Sequence, residues 1–287
     1  MIDNKLYHYY DTIDSTNNKA KELAQEGCAN HTIVSAGTQT VGKGRSGHQW
    51  ESEEGTTIST SMVLYPSVAI EHVSRLTLVA AVAVYRAVEE VISQTLGEKA
   101  MYGSNDDESE REHFTEEYRP SIKWPNDILL KNKKICGILT EMSAANNQIN
   151  YVVVGIGVNV HNRTFPEELQ HKATSIDLIL DEMIQNMQTG QDNIHVGRTD
   201  LTMRIWEHFL TCYEQFGNCE DLSFCLEDYN AHLANVNRTV RVLDPLGEYT
   251  GTALGMDETG ELLVAVDGEV RHVSSGEVSV RGLYGYV

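Results

Sequence analysis

Positive charge is scarce in this sequence. It has 22 Lys and Arg against 42 Asp and Glu, a formal net charge of -20 over 287 residues. A surface this acidic repels phosphate backbones and anionic lipid heads, which argues against DNA binding and against membrane binding. It also makes any local cluster of cations informative. Cysteine is sparse and unpaired: the five residues are odd in number and form no CxxC, so neither a disulfide framework nor a zinc site is indicated. No stretch approaches 18 apolar residues, and none is expected to span a membrane. The opening MIDNKLYHYYDTID lacks the apolar core of a signal peptide. A cytoplasmic protein is expected.

What is present suffices for a sizeable core. Hydrophobic residues make up 41% of the chain, enough for one large domain or a large and a small one. Residues 6–13 read as a strand. DSTNNKAKELAQEG follows as a helix with Ser15 or Thr16 as N-cap and Gly27 as its stop. TIVSAGTQ (32–39) and TTISTSMVLY (56–65) read as strands, and an apolar helix is predicted over 73–96. Residues 97–119 hold eight acids and three bases with almost no apolar periodicity, the pattern of an acidic surface loop or insertion. PSIKWPNDILL, KKICGILTEMS and INYVVVGIGVNV read as a hairpin and a buried strand of a mixed or antiparallel sheet, and helices fill most of 175–235. From Val240 to Arg281 short strands alternate with turns, as in a small β-barrel. The expected organisation is α+β, with one domain over 1–236 and a second over 237–287.

Two motifs mislead. GTQTVGKG nearly matches a phosphate loop, but Gly44 stands where a hydroxyl should hold magnesium, and no helix is predicted after it. VVVGIGVNV starts like a dinucleotide fingerprint, yet Val160 replaces the third glycine and HNRTFPEEL replaces the helix. Its glycines instead suit a strand that a ligand approaches closely.

Three segments carry the chemistry. GKGRSGHQW (42–50) packs Lys43, Arg45 and His48 among three glycines; alone it reads equally well as a solvated loop. Lys123-Trp124-Pro125-Asn126-Asp127 is a turn presenting a cation, an aromatic, an amide and a carboxylate, the groups needed to handle a nucleoside triphosphate and magnesium, although a structural turn with a core Trp is at least as good a reading. In KNKKICGIL, Lys133 or Lys134 precedes Gly137 in an apolar strand, and one of the two has to point inward.

In this order the segments resemble the biotin protein ligases, which show G-R-G-R-x-G-R-x-W, K-W-P-N-D, a lysine seven residues after the Asp followed by glycine, and G-x-G-x-N. Here these are GKGRSGHQW, KWPND, Lys134 with Gly137, and Gly155-Ile156-Gly157-Val158-Asn159. Asp14-Ser15-Thr16-Asn17, Gln39 and Ala173-Thr174-Ser175 also fit, and GTALGMDETGELLV…SSGEVSVR resembles that family's SH3-like barrel. Nearly the whole chain is covered. The resemblance implies a class II synthetase-like catalytic domain, and an enzyme that forms biotinyl-5'-AMP from biotin and ATP with Mg2+, without a tightly bound prosthetic group. The biotinyl group then passes to a lysine of a biotin carboxyl carrier domain of a carboxylase. Homodimers occur among such ligases.

Residue roles follow from the same resemblance. Biotin binding is implied for Ser15, Thr16, Asn17, Gln39, Gly42, Lys43, Gly44, Arg45, Lys134, Gly137, Gly155 and Gly157. ATP binding is implied for Arg45, Trp124 (stacking on adenine), Asn126, Lys134 and Asn159, with Arg45, Lys134 and Lys123 catalytic and Asp127 meeting magnesium. The sequence departs from the pattern at Lys43 and His48, where arginines are usual; lysine cannot make arginine's bidentate fork. Because the catalytic pattern starts within 15 residues, no N-terminal DNA-binding domain is expected. The alternatives are a lipoate–protein ligase, which shares the adenylation logic, and a non-catalytic biotin-binding regulator.

Overall fold

The computed structural model describes residues 3–47, 49–50, 53–100, 117–186, 196–244, 247–275 and 279–282. Most of the acidic stretch at 97–119, and His48, lie outside them.

The larger sheet has seven strands: β1 (Tyr7–Ile13), β2 (Ile33–Gln39), β3 (Thr57–Leu64), β4 (Ser121–Lys123), β5 (Asp127–Leu130), β6 (Lys133–Ala145) and β7 (Gln148–Asn159). Their spatial order is β1-β2-β3-β7-β6-β5-β4. The sheet is mixed: β1 and β2 run parallel, joined by α1 (Thr16–Gln25), and the other neighbours are antiparallel. The remaining helices are α2 (Leu76–Ala100), α3 (Ile176–Asn186), α4 (Arg198–Cys219) and α5 (Leu226–Ala231). A second, five-stranded antiparallel sheet holds β8 (Thr239–Leu243), β9 (Tyr249–Met256), β10 (Leu262–Val266), β11 (Glu269–Val273) and β12 (Ser279–Gly282). The expected α+β architecture with a small C-terminal β unit is the one found.

Two boundaries differ from expectation. A 3-10 turn, Ile70–Arg75, precedes α2, so the helix starts later than residue 73, and it continues to Ala100 into what reads as a loop. Gly27 does stop α1, at φ +83° in the left-handed region that favours glycine.

Side chains alternate across a strand, so residue parity decides what each sheet face meets. On one face Ile58, Met62, Leu64, Val152, Val154, Ile156, Val158, Cys136 and Ile138 join the main core with α2 and α4. On the other, Val34, Val63 and Val153 pack under Ala20 and Ala24 of α1. This helix covers only part of its face. Continuing along the strands, the same parity brings Ser59 and Ser61 of β3, Gly155 and Gly157 of β7, and Gly137 of β6. Small residues there leave a trough instead of a packed layer.

Candidate active site

The trough is a cavity that opens to solvent. At its α1 end, Ser15 occupies the N-cap position yet makes no side-chain cap hydrogen bond, and it lines the cavity. Gln39, at the end of β2, accepts with Oε1 from the Thr16 backbone N–H (2.7 Å) and from the Thr16 hydroxyl (3.0 Å). Asn17 donates its amide to Glu141 of β6 (2.8 Å), and its Oδ1 lies 2.6 Å from the Ser61 hydroxyl. Gly155 is required there, because a Cβ on it would sit 1.9 Å from Asn17 Oδ1.

Two residues further along β7, Trp50 takes the same role. A Cβ on Gly157 would lie 2.5 Å from the indole, and one on Gly137 3.2 Å from it. Thus these glycines make room for the protein's own Asn17 and Trp50, which then form the cavity wall beside them. The Trp50 backbone N–H closes the 42–50 loop by donating to the Gly42 carbonyl (3.0 Å), and Gly42 leaves no space for a Cβ against Trp50 O. Trp50 Nε1 is buried without a hydrogen-bond partner, as is Oγ of Ser59, which pairs with Gly157 across the sheet. Trp50 lines the cavity, so a ligand there could complete its unpaired N–H.

The cations gather beside Trp50. Lys134 places Nζ 5.7 Å from the indole centroid and 2.6 Å from Asp127 Oδ1. Asp127 and Gly137 are paired across the β5–β6 hairpin, so register brings this carboxylate to the cavity edge. Arg45 donates through Nη1 to Asn126 Oδ1 (3.1 Å) and through Nη2 to the Ser275 carbonyl (2.9 Å) beside the second sheet. Burial pushes the Arg45 pKa down while Asp127 opposes the shift, and the guanidinium stays charged. Lys43 reaches back to Asn18 Oδ1 at 2.6 Å.

Ser15, Thr16, Asn17 and Gln39 therefore share one cavity with Lys43, Gly44, Arg45 and Asn126, and with Lys134, Gly137, Gly155 and Gly157. Others stand back from it. Gly42 supports the loop rather than the lining. Lys123 is buried in β4 opposite Asp127 and is not among the lining side chains. Asn159 is buried and donates its amide to the Thr174 carbonyl (3.1 Å).

Trp124 requires a correction. Its ring is 1% exposed, its indole N–H donates to the Gly260 carbonyl (3.1 Å), and its backbone N–H donates to Asn235 Oδ1 (2.9 Å). A ring enclosed on all sides cannot stack on adenine; it joins the first sheet to the β9–β10 turn. The sequence reading also missed Trp50, Ser61 and Glu141. The tryptophan closing GKGRSGHQW was a signal for the first; Ser61 and Glu141 carried none.

Comparison with known proteins agrees with this geometry. Residues 9–159 match the Biotin/lipoate A/B protein ligase family, and residues 236–281 match the Biotin protein ligase C terminal domain. The chain is 30% identical over 280 residues to the Bifunctional ligase/repressor BirA of Bacillus subtilis, covering 95% of this chain and 73% of that one. It is 28% identical over 248 residues to the Biotin--[acetyl-CoA-carboxylase] ligase of Mycobacterium tuberculosis, covering 86% of this chain and 77% of that one. Its fold is similar to that of the biotin protein ligase from Aquifex aeolicus in complex with biotin and ATP, with TM-score 0.72 and 24% identity over 96% of this chain and 98% of that one. With more than half of its residues inside the first family match, and a relative this similar along almost its whole length, the chain belongs to the biotin/lipoate A/B protein ligase family.

Proposed function

We propose that the chain is an ATP-dependent biotin–protein ligase. The observation that carries this reading is the division of one cavity into an amide-and-hydroxyl end, at Thr16, Asn17 and Gln39, and a cation end, at Arg45 and Lys134. Such a cavity suits a ligand with a hydrogen-bonding head and a carboxylate tail. A lipoate reading fits less well, because a dithiolane head leaves the polar end unsatisfied. A purely sensory role would have no use for Lys134 and Arg45.

The chemistry assigns the residues. In the first step a biotin carboxylate oxygen attacks the α-phosphorus of ATP, the bond to the β-phosphate oxygen breaks, and pyrophosphate leaves. Both reactants are anionic. Lys134 and Arg45 lower that repulsion and stabilise the charge that builds on the phosphorus oxygens. Asp127 holds Lys134 in place and is a carboxylate at this end that could meet magnesium arriving with the triphosphate. Asn126 orients Arg45. Asn159, Lys123 and Gly42 act as supports at the rim. In the second step a neutral lysine amine of a carboxylase carrier domain attacks the mixed anhydride and AMP leaves. Arg45 and the 42–50 loop shield the adenylate from water until then.

We read residues 1–236 as the catalytic domain, 237–287 as a C-terminal domain, and the cytoplasm as the compartment. Among the described residues no helix is long and apolar enough to cross a membrane. The test is incubation with ATP, magnesium, biotin and a purified carrier domain, followed by mass spectrometry. One biotinyl adduct on one carrier lysine is expected. Lipoate incorporation in preference to biotin, or no adduct with either, would overturn the reading.

A further inference from the structure

We propose that Glu141 is a positioning residue that fixes the orientation of the Asn17 amide in the ligand cavity without touching the ligand. It acts through Asn17 on Ser61. The inference rests on the ligase reading only for the substrate used to test it.

The local frame is simple. Asn17 and Lys21 are four residues apart on α1 and share a helix face. That face meets Glu141, which lies on β6 some 120 residues away in the chain. Lys21 is paired with Glu141 Oε1, and Asn17 Nδ2 donates to Oε2 at 2.8 Å. Hydrogen bonds from Lys21 and Asn17 hold the Glu141 pKa below the ordinary carboxylate range, although burial alone would raise it.

An ionised carboxylate can only accept. This fixes which end of the Asn17 amide is nitrogen, and the remaining contacts follow in turn. Asn17 Oδ1 must face Ser61, and because it too can only accept, the single Ser61 proton is committed to that 2.6 Å bond. Ser61 Oγ also lies 2.8 Å from Thr16 Oγ, but has no second proton to give. The Thr16 hydroxyl can then donate to Ser61 Oγ or, at 3.0 Å, to Gln39 Oε1, and in either case Gln39 Oε1 receives the Thr16 backbone N–H at 2.7 Å. What Gln39 has left for the cavity is its amide N–H, which suits a carbonyl-type acceptor on the ligand head.

Without Glu141 the Asn17 amide has two nearly equivalent orientations, and the Ser61 proton can point either way. The loss falls on binding, because none of these groups is near the reacting phosphorus. The assay is biotin-dependent pyrophosphate exchange by the full chain, with thermal unfolding recorded for each variant. Glu141→Ala should raise the biotin KM about tenfold, a difference of about 1.4 kcal/mol, and leave kcat within about twofold. Asn17→Asp should do the same by placing two carboxylates together. The double variant N17D/E141Q restores the pair with reversed chemistry: the glutamine amide introduced on β6 donates, the carboxylate introduced on α1 accepts, and the second oxygen of that carboxylate still takes the Ser61 proton. Its KM should return to within about threefold of the parent. A KM unchanged in E141A, or a double variant no better than N17D, would overturn the proposal. If the parent does not turn over biotin, the ligase reading fails by itself. The polarity lock is then read from the Asn17 side-chain amide protons by NMR: slow exchange in the parent and fast exchange in E141A support it, and equal exchange refutes it.

Discussion

Lys134 Nζ and Asp127 Oδ1 meet at 2.6 Å where the β5–β6 hairpin borders the cavity. The pairing explains why the lysine that points inward is Lys134 and why it does not collapse onto solvent. It also separates two effects of removing it. Lys134→Ala should slow adenylate formation by a hundredfold or more, as loss of a transition-state cation does, on the order of 3 kcal/mol. Biotin affinity should change by less than about threefold, because the head-group contacts lie two residues away along β7. Stopped-flow or quench measurement of the first turnover, beside equilibrium biotin binding, checks this; equal losses in both would contradict it.

Trp124 holds the first sheet to the β9–β10 turn through the Gly260 carbonyl. Trp124→Phe keeps an aromatic ring but deletes that donor, leaving a buried carbonyl unpaired and a small void where the rest of the indole packed. The expected cost is about 1–3 kcal/mol of unfolding free energy. The KM for ATP should stay within about twofold. An ATP KM raised tenfold at unchanged stability would restore the adenine-stacking role.

The glycines of the trough are not interchangeable with one outside it. Gly155→Ala and Gly157→Ala would drive a methyl into Asn17 and Trp50, so both should abolish measurable adenylation. Gly217, inside α4, has nothing within 4 Å of a built Cβ. Gly217→Ala should therefore stabilise the chain, by about 0.5–1 kcal/mol in chemical denaturation.

His31 supplies a pH dependence away from the site. It sits at φ +66°, its Nε2 is buried with no hydrogen-bond partner, and its ring meets Tyr213 edge-on at 6.1 Å. Burial holds its pKa below the ordinary 6.5. The folded state therefore binds the proton less readily than the unfolded chain does, and stability is lost as pH falls below about 6.5 towards the folded-state pKa. His31→Asn, which tolerates the left-handed backbone, should flatten the fall in Tm between pH 6.5 and 5. An unchanged slope would assign that fall to other groups.

How much of this was legible in the sequence depends on the distance over which each signal acts. Strand alternation at 56–65 and the glycine stop of α1 are local, and both read correctly. The start of α2 was obscured because Val73 and Leu76 fit one apolar period although a 3-10 turn lies between them. The acid–amide contact between Asn17 and Glu141 spans 124 residues, and no local pattern encodes it. For Trp124, a resemblance in sequence carried the residue but not the direction of its side chain.

Arg45 has one hand on Asn126 and the other on the Ser275 carbonyl. The glycine-rich loop is thereby set by two parts of the chain that lie 149 residues apart, a separation that follows from their numbers. A chimera that grafts the C-terminal strands of another ligase onto this chain would have to reproduce the height of that one carbonyl. Sequence similarity in the grafted strands would not reveal a mismatch, since a backbone oxygen has no side-chain identity to compare.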